Sequence, residues 1–148
     1  MQFIFPVYQA EHLYIICVNI KGGRVDVVDN SPAMQNLPMR HKYGTVTPML
    51  GNYMVKFLLS IGLKTKAKKL CGSRVYRVDM PWHDDANKID CAIYAMRHMD
   101  RYFGQPHKEW DCGITLGGSS RQLKNFREKY CAAILADELN NLHKHNMV

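Results

Sequence analysis

The stretch His12 to Asn30, HLYIICVNIKGGRVDVVDN, decides the fold. Its first part, to Ile20, is dense in Ile, Val and Tyr, the side chains that suit a pleated, half-buried surface. Its last part, Arg24 to Asn30, alternates with period two. Gly22-Gly23 between them tolerates the positive φ of a tight turn, so the two segments are predicted to pair as an antiparallel hairpin. Side chains alternate across a sheet, which puts His12 and Asp29 on one face and Asp26 on the other. A two-residue Gly22-Gly23 loop would set Asp29 opposite Ile16, roughly 13 Å along the strand from His12 at about 3.3 Å per residue. Contact between His12 and Asp29 would then need a bulge or strong twist.

Working outward, Phe3 to Tyr8 reads as a further strand, and Ser31 to Tyr43, with two prolines and no period, as a loop. Thr47-Pro48 offers an N-cap and a first-turn proline to a helix whose stripe is Leu50, Tyr53, Met54, Phe57, Leu58 and Ile61, closed by Gly62. Arg74 to Asp79 is a short strand and Met80 to Ile89 an irregular loop. Asp90 caps a helix from Cys91 to Phe103 with Ala92, Ala95, Met96, Met99 and Phe103 inward, ended by Gly104 and Pro106. A last helix spans about Ser119 to His143 through Leu123, Phe126, Tyr130, Ile134 and Leu142. Strands first and helices after make an α+β class, a small mixed or antiparallel sheet packed against helices.

The 148 residues, 47% hydrophobic and 22% charged, suffice for one core, so residues 1–148 form one domain or part of one. No apolar run approaches the roughly 18 residues of a membrane span, and MQFIFPVYQAEH lacks the basic start and cleavage site of a secretory signal. The expected location is intracellular, nucleus or cytoplasm. The net charge of +7 is uneven: nine Lys or Arg and no acid lie between Arg40 and Val78, a half that suits an anionic neighbour or a solvated basic face. No aromatic platform or motif accompanies the basic block, so nucleic acid is not the expected partner. His143 and His145 are spaced as His-x-His without an acidic or cysteine companion, and no metal or cofactor is expected.

Five cysteines without CxxC spacing read as free thiols. Cys91 stands apart because it opens a helix, where unpaired N–H groups and the helix dipole favour thiolate over thiol. It is placed to be a nucleophile, though small residues also begin buried helices for packing alone. Cys17, in an apolar strand, and Cys131, in an amphipathic helix, are expected to be buried and inert. Cys71 and Cys112 fall in loops and stay open. A cysteine nucleophile needs a base and a group to orient it, roles that His12 and Asp29 could fill.

The order His12, Asp29, Cys91, with FPV upstream of the histidine, VVDN around the aspartate and Asp-Cys opening a helix, resembles the ubiquitin-like-protein-specific cysteine proteases, the SUMO protease family. MPWHDDANKIDCAIYAMRHMDRYFG (80–104), WDCG (110–113) and REKYCAAIL (127–135) resemble that family's plant branch. The resemblance implies a cysteine-protease fold in which Cys91 attacks the carbonyl after a C-terminal Gly-Gly of a ubiquitin-like modifier or its conjugates. His12 would be base and then acid, and Asp29 would orient it. Leu13 stands where the family has a tunnel-forming tryptophan, Ala92 where it has glycine, and His83 where it has the glutamine that donates to the oxyanion. Leu13 and Trp82 are the substrate-channel candidates and His83 the oxyanion candidate. The family's domain also has helices ahead of the FPV strand, so the chain corresponds to a C-terminal portion of such a domain. A catalytically impaired relative that binds a modifier is the alternative.

Overall fold

The computed structural model describes residues 1–32, 36–84, 87, 89–115 and 119–137. Strands β1 (Gln2–Gln9), β2 (His12–Asn19) and β3 (Arg24–Val28) form an antiparallel meander, and β4 (Val75–Arg77) joins its far edge parallel to β3, giving the order β1-β2-β3-β4. Between β3 and β4 come helices α1 (Met39–Tyr43), α2 (Val46–Ser60) and α3 (Lys64–Leu70). After β4 come α4 (Cys91–Arg101), a single 3₁₀ turn (His107–Glu109) and α5 (Ser120–Ala136). The class is α+β, with a small mixed four-stranded sheet and five α-helices among the described residues.

The β2–β3 connection corrects the expected register. Asn19 pairs with Arg24, so the loop holds four residues, Ile20 to Gly23, and not the Gly-Gly pair alone. Asn19 builds it: its carbonyl accepts from the Gly23 N–H at 2.8 Å and its side-chain oxygen from the Gly22 N–H at 2.7 Å. Gly23 sits at φ +64°, where a Cβ would lie 2.6 Å from the Lys69 side chain, so only glycine fits. Ile15 pairs with Val28, and the same register carried one step further sets Asp29 across from Tyr14. His12 is thereby a diagonal neighbour of Asp29, within reach without bulge or added twist. At the other hairpin Ala10 and Glu11, both at positive φ, make the two-residue turn that delivers the chain directly into His12.

The sheet separates two cores. Tyr14, Ile16, Val18, Val25 and Val27 pack with Tyr43, Met54, Leu58, Ala67 and Leu70 of α1 to α3. Ile15, Cys17 and Val28 pack with Ile93, Tyr94 and Ala95 of α4 and with Trp82, Trp110 and Leu123. Helix α2 ends as its sequence implies: Gly62 at φ +80° lets its N–H reach the Leu59 carbonyl and the Leu63 N–H reach that of Leu58, a Schellman closure.

Several expected details are corrected. Met39–Tyr43 of the expected loop is helical. Helix α2 begins at Val46, and only Met54 and Leu58 of its stripe are buried, while Tyr53, Phe57 and Ile61 are exposed. Helix α4 ends at Arg101, leaves Ala92 and Phe103 exposed and buries Arg97 and His98. Arg97 donates to the Cys112 carbonyl at 2.5 Å and to Asp100 at 2.8 Å, while His98 accepts the Trp82 indole N–H at 3.2 Å, so neither is buried unpaired. Helix α5 is capped by Ser119 Oγ on the Gln122 N–H, and its described part ends at Ala136; Leu123 is buried but Ile134 is exposed. Cys131 is accordingly exposed and not a core thiol. Leu142, His143 and His145 lie outside the described residues.

Candidate active site

His12 opens β2, and Asp29 follows the end of β3. Antiparallel pairing brings those two points to the same end of the sheet. There His12 Nε2 lies 2.6 Å from Asp29 Oδ1. Asp29 is fully buried, and both its oxygens are saturated: Oδ1 also accepts the Ser31 N–H at 2.9 Å, while Oδ2 accepts the Tyr43 hydroxyl at 2.8 Å and Lys42 Nζ at 2.9 Å. Burial by itself would push this carboxyl up, but the hydrogen bonds from His12, Lys42 and the Ser31 N–H outweigh it and hold the group well below the usual carboxylate range.

An ionised carboxylate only accepts, so the proton of the 2.6 Å bond belongs to His12 Nε2. In the neutral ring Nδ1 is then the basic nitrogen, and His12 retains 25% exposure through which a proton donor could reach it. The ring lies nearly parallel to Tyr14, centroids 6.3 Å apart and planes 18° apart, and the Tyr14 hydroxyl is anchored on Gln9 at 2.9 Å. Imidazole, carboxylate and orientation are all fixed from the β2–β3 side, with α1 supplying two of the four donors to Asp29.

Asp26, three residues earlier, faces the other core as parity requires. It accepts from Arg24 Nε and the Tyr102 hydroxyl, both at 3.0 Å. Burial raises its pKa despite those partners.

Cys91 is the first residue of α4 and is half-buried. Asp90 stands at the N-cap position, but its carboxylate makes no cap; it is taken by Asn87 Nδ2 at 2.9 Å and by Arg127 of α5. The loop before Cys91 is tied to the strand end that carries Asp29. The Val78 N–H donates to the Val27 carbonyl at 2.8 Å and the Asp84 N–H to the Asn30 carbonyl at 3.1 Å. Tyr94, in the first turn of α4, reaches Asp84 at 3.5 Å. The structure thus joins His12 to Asp29 directly, and links the helix start of Cys91 to the same end of the sheet through Asn30, Asp84 and Tyr94.

His83 lies in that loop, half-buried, its ring hydrogen-bonded to the backbone of Asp29. Burial lowers its pKa against the opposing pull of Asp79 and Asp29. His83 thus stands beside the backbone of Asp29, on the loop that leads to Cys91.

Trp82, expected at the substrate channel, is 3% exposed and belongs to the core, edge-on to Trp110 at 4.8 Å. Leu13 is half-buried and packs against the α4-side core, on the opposite face from His12. Cys17 and Cys112 are fully buried, and burial pushes each thiol up to about 12. Cys71, like Cys131, is exposed.

The sequence reading missed Lys42 and Tyr43 as partners of Asp29, and the buried His98, whose pKa burial lowers to about 3. Among the described residues no cluster of His, Cys, Asp and Glu could hold a metal, and no helix is long and apolar enough to cross a membrane. The chain matches no protein-family profile, no curated protein and no solved structure.

Proposed function

We propose that this chain carries the catalytic groups of a cysteine-type peptidase or isopeptidase, of the cysteine-protease fold, acting after the C-terminal Gly-Gly of a ubiquitin-like, SUMO-like modifier. The observation that supports it is the saturated, buried Asp29 carboxylate holding His12 through Nε2 and leaving Nδ1 as the basic nitrogen. In the reaction His12 Nδ1 takes the proton of Cys91 Sγ, and the sulfur attacks the carbonyl carbon. The tetrahedral intermediate collapses as His12 returns that proton to the leaving amine, forming a thioester. Water, deprotonated by His12, then hydrolyses the thioester and frees Sγ. Asp29 stabilises the transient imidazolium and is already ionised when it forms.

The helix start at Cys91 offers backbone N–H groups to the oxyanion, and His83, beside the backbone of Asp29, stands where the family has its glutamine donor. Losing one such donor costs roughly 10²–10³ in rate. That observation favours a second reading, an impaired relative that binds a modifier without turning it over efficiently. A modifier-derived vinyl sulfone separates the two. Covalent labelling of Cys91, absent in Cys91→Ser, supports the peptidase; saturable binding with no labelling supports the binding module; neither binding nor labelling contradicts both.

A further inference from the structure

Asp29 lies between two groups that can each hold a proton. On one side is His12; on the other is Lys42 of α1, whose ammonium lies 2.9 Å from Asp29 Oδ2 and donates to the Ser31 carbonyl at 2.6 Å. The Lys42 side chain is only 10% exposed, so its charge sits almost wholly out of water. A tether alone would need no charge: Tyr43, the next residue, gives the same carboxylate oxygen a neutral donor at 2.8 Å. The charge acts instead on the balance of the pair. With His12 neutral, carboxylate and ammonium sum to zero, and a proton on the imidazole brings the cluster to a net positive charge. The groups around it do not reverse that sign. Tyr14, stacked on His12, and Tyr43 are neutral, because burial pushes the Tyr14 hydroxyl up to about 12 and the Tyr43 hydroxyl higher still. His83, beside the Asp29 backbone, is held toward its neutral form by burial, and Arg77 of β4 stands over the Tyr43 ring at 5.3 Å as a further cation. Glu11, in the turn before His12, is exposed and screened by solvent.

We propose that Lys42 acts through Asp29 as a positioning residue for His12 and sets its basicity: by matching the Asp29 charge, its ammonium makes the imidazolium give up its proton at a lower pH than it would beside an uncompensated carboxylate. The consequence for catalysis rests on the peptidase reading above. A less basic His12 spends more of its time in the neutral form that takes the proton of Cys91, and its imidazolium is a stronger acid toward the leaving amine.

Ring C–H resonances of the intact chain, followed by NMR across the protonation of His12, test the assignment; the His12 signal is the one lost in His12→Ala. Lys42→Met keeps the apolar stem and removes the charge, and should raise the pH of half-protonation by about one pH unit, a tenfold gain in proton affinity. Lys42→Gln should raise it alike, while Lys42→Arg, which restores a cation, should stay within about 0.3 of wild type. Tyr43→Phe takes a neutral donor from the same oxygen and should move it by no more than about 0.3, which tells loss of charge from loss of a bond. If Lys42→Met fails to fold, Lys42→Gln decides. No upward move in the neutral variants, an equal move in Tyr43→Phe, or failure of both neutral variants to fold would overturn the proposal. Alkylation of Cys91 in the same samples keeps the two readings apart. A shift at His12 with Cys91 no more reactive than Cys71 and Cys131 would contradict the peptidase and leave the role of Lys42 standing; a reactive Cys91 with His12 unmoved would overturn the role of Lys42 alone.

Discussion

Asp26 and Asp29 lie three residues apart and point to opposite faces of one sheet, and the fold treats them in opposite ways. Asp29 receives four donors, stays ionised and holds an imidazole whose second nitrogen is its basic one. Asp26 receives two, has its pKa raised by burial, and pins β3 to the C-terminal end of α4 through Tyr102, while Arg24 continues to the Gly104 carbonyl at 2.9 Å. The number of donors separates the roles: saturation keeps a carboxylate charged in a dry site, and two partners leave burial dominant. One aspartate is held charged beside an imidazole and the other joins elements.

The widest separation between them should appear in turnover. Asp29→Asn is expected to lower the rate of cleavage of a Gly-Gly-linked fluorogenic substrate by roughly 10³–10⁴, because an amide cannot stabilise the imidazolium and offers His12 the wrong tautomer. Asp26→Asn should stay within about threefold of wild type; equal losses in both variants would erase the functional distinction. The next effect is at His83. Glutamine there has two N–H donors, so His83→Gln can keep the Asp29 carbonyl and still offer a donor, and labelling by the modifier probe should rise by up to about 10². No rise would show that the oxyanion is served without a side chain from this position.

A smaller contrast belongs to stability. Asp26→Asn should cost about 1–2 kcal/mol in urea unfolding, from weakened bonds to Tyr102 and the partly exposed Arg24. The pH dependences should run in opposite directions. Asp29 has a lowered folded pKa, so its stabilisation is complete above the unfolded value near 4 and is lost as pH falls below it. Asp26 has a raised folded pKa, so the folded state takes up its proton first and wild type gains on Asp26→Asn as pH falls through that range. Buried His98 destabilises the whole series from about pH 6.5 downward, and cancels when each variant is compared with wild type at the same pH. Gaps closing in the same direction for both variants would contradict the assignment.

Parity made this contrast legible in the sequence, because it depends only on the alternation of a strand and on an odd or even loop. Register did not, because the Gly22-Gly23 signal marks a turn without fixing its length; Asn19 lengthened it by binding both glycine N–H groups. The start of α4 at Cys91 was readable from a polar loop meeting an apolar period. Its inward face was so only in part: Ala95, Met96 and Met99 pack inward as expected, but Arg97 and His98 look like solvent residues until Cys112 and Trp82 supply their partners from elsewhere in the chain. Lys42 and Tyr43 were hidden for the same reason: five residues of helix too short to show a period carry the donors that keep Asp29 charged.

The account rests on His12 activating Cys91, and alkylation of the intact chain by iodoacetamide across pH 5 to 9 tests that without requiring a modifier to bind. Peptide mass spectrometry reads all five thiols at once, with exposed Cys71 and Cys131 as internal references. At pH 6 Cys91 should react at least about tenfold faster than either reference, and His12→Ala should remove that advantage while leaving Cys71 and Cys131 unchanged. Cys91 reacting no faster than the two exposed cysteines, or equally fast with His12 absent, would contradict it.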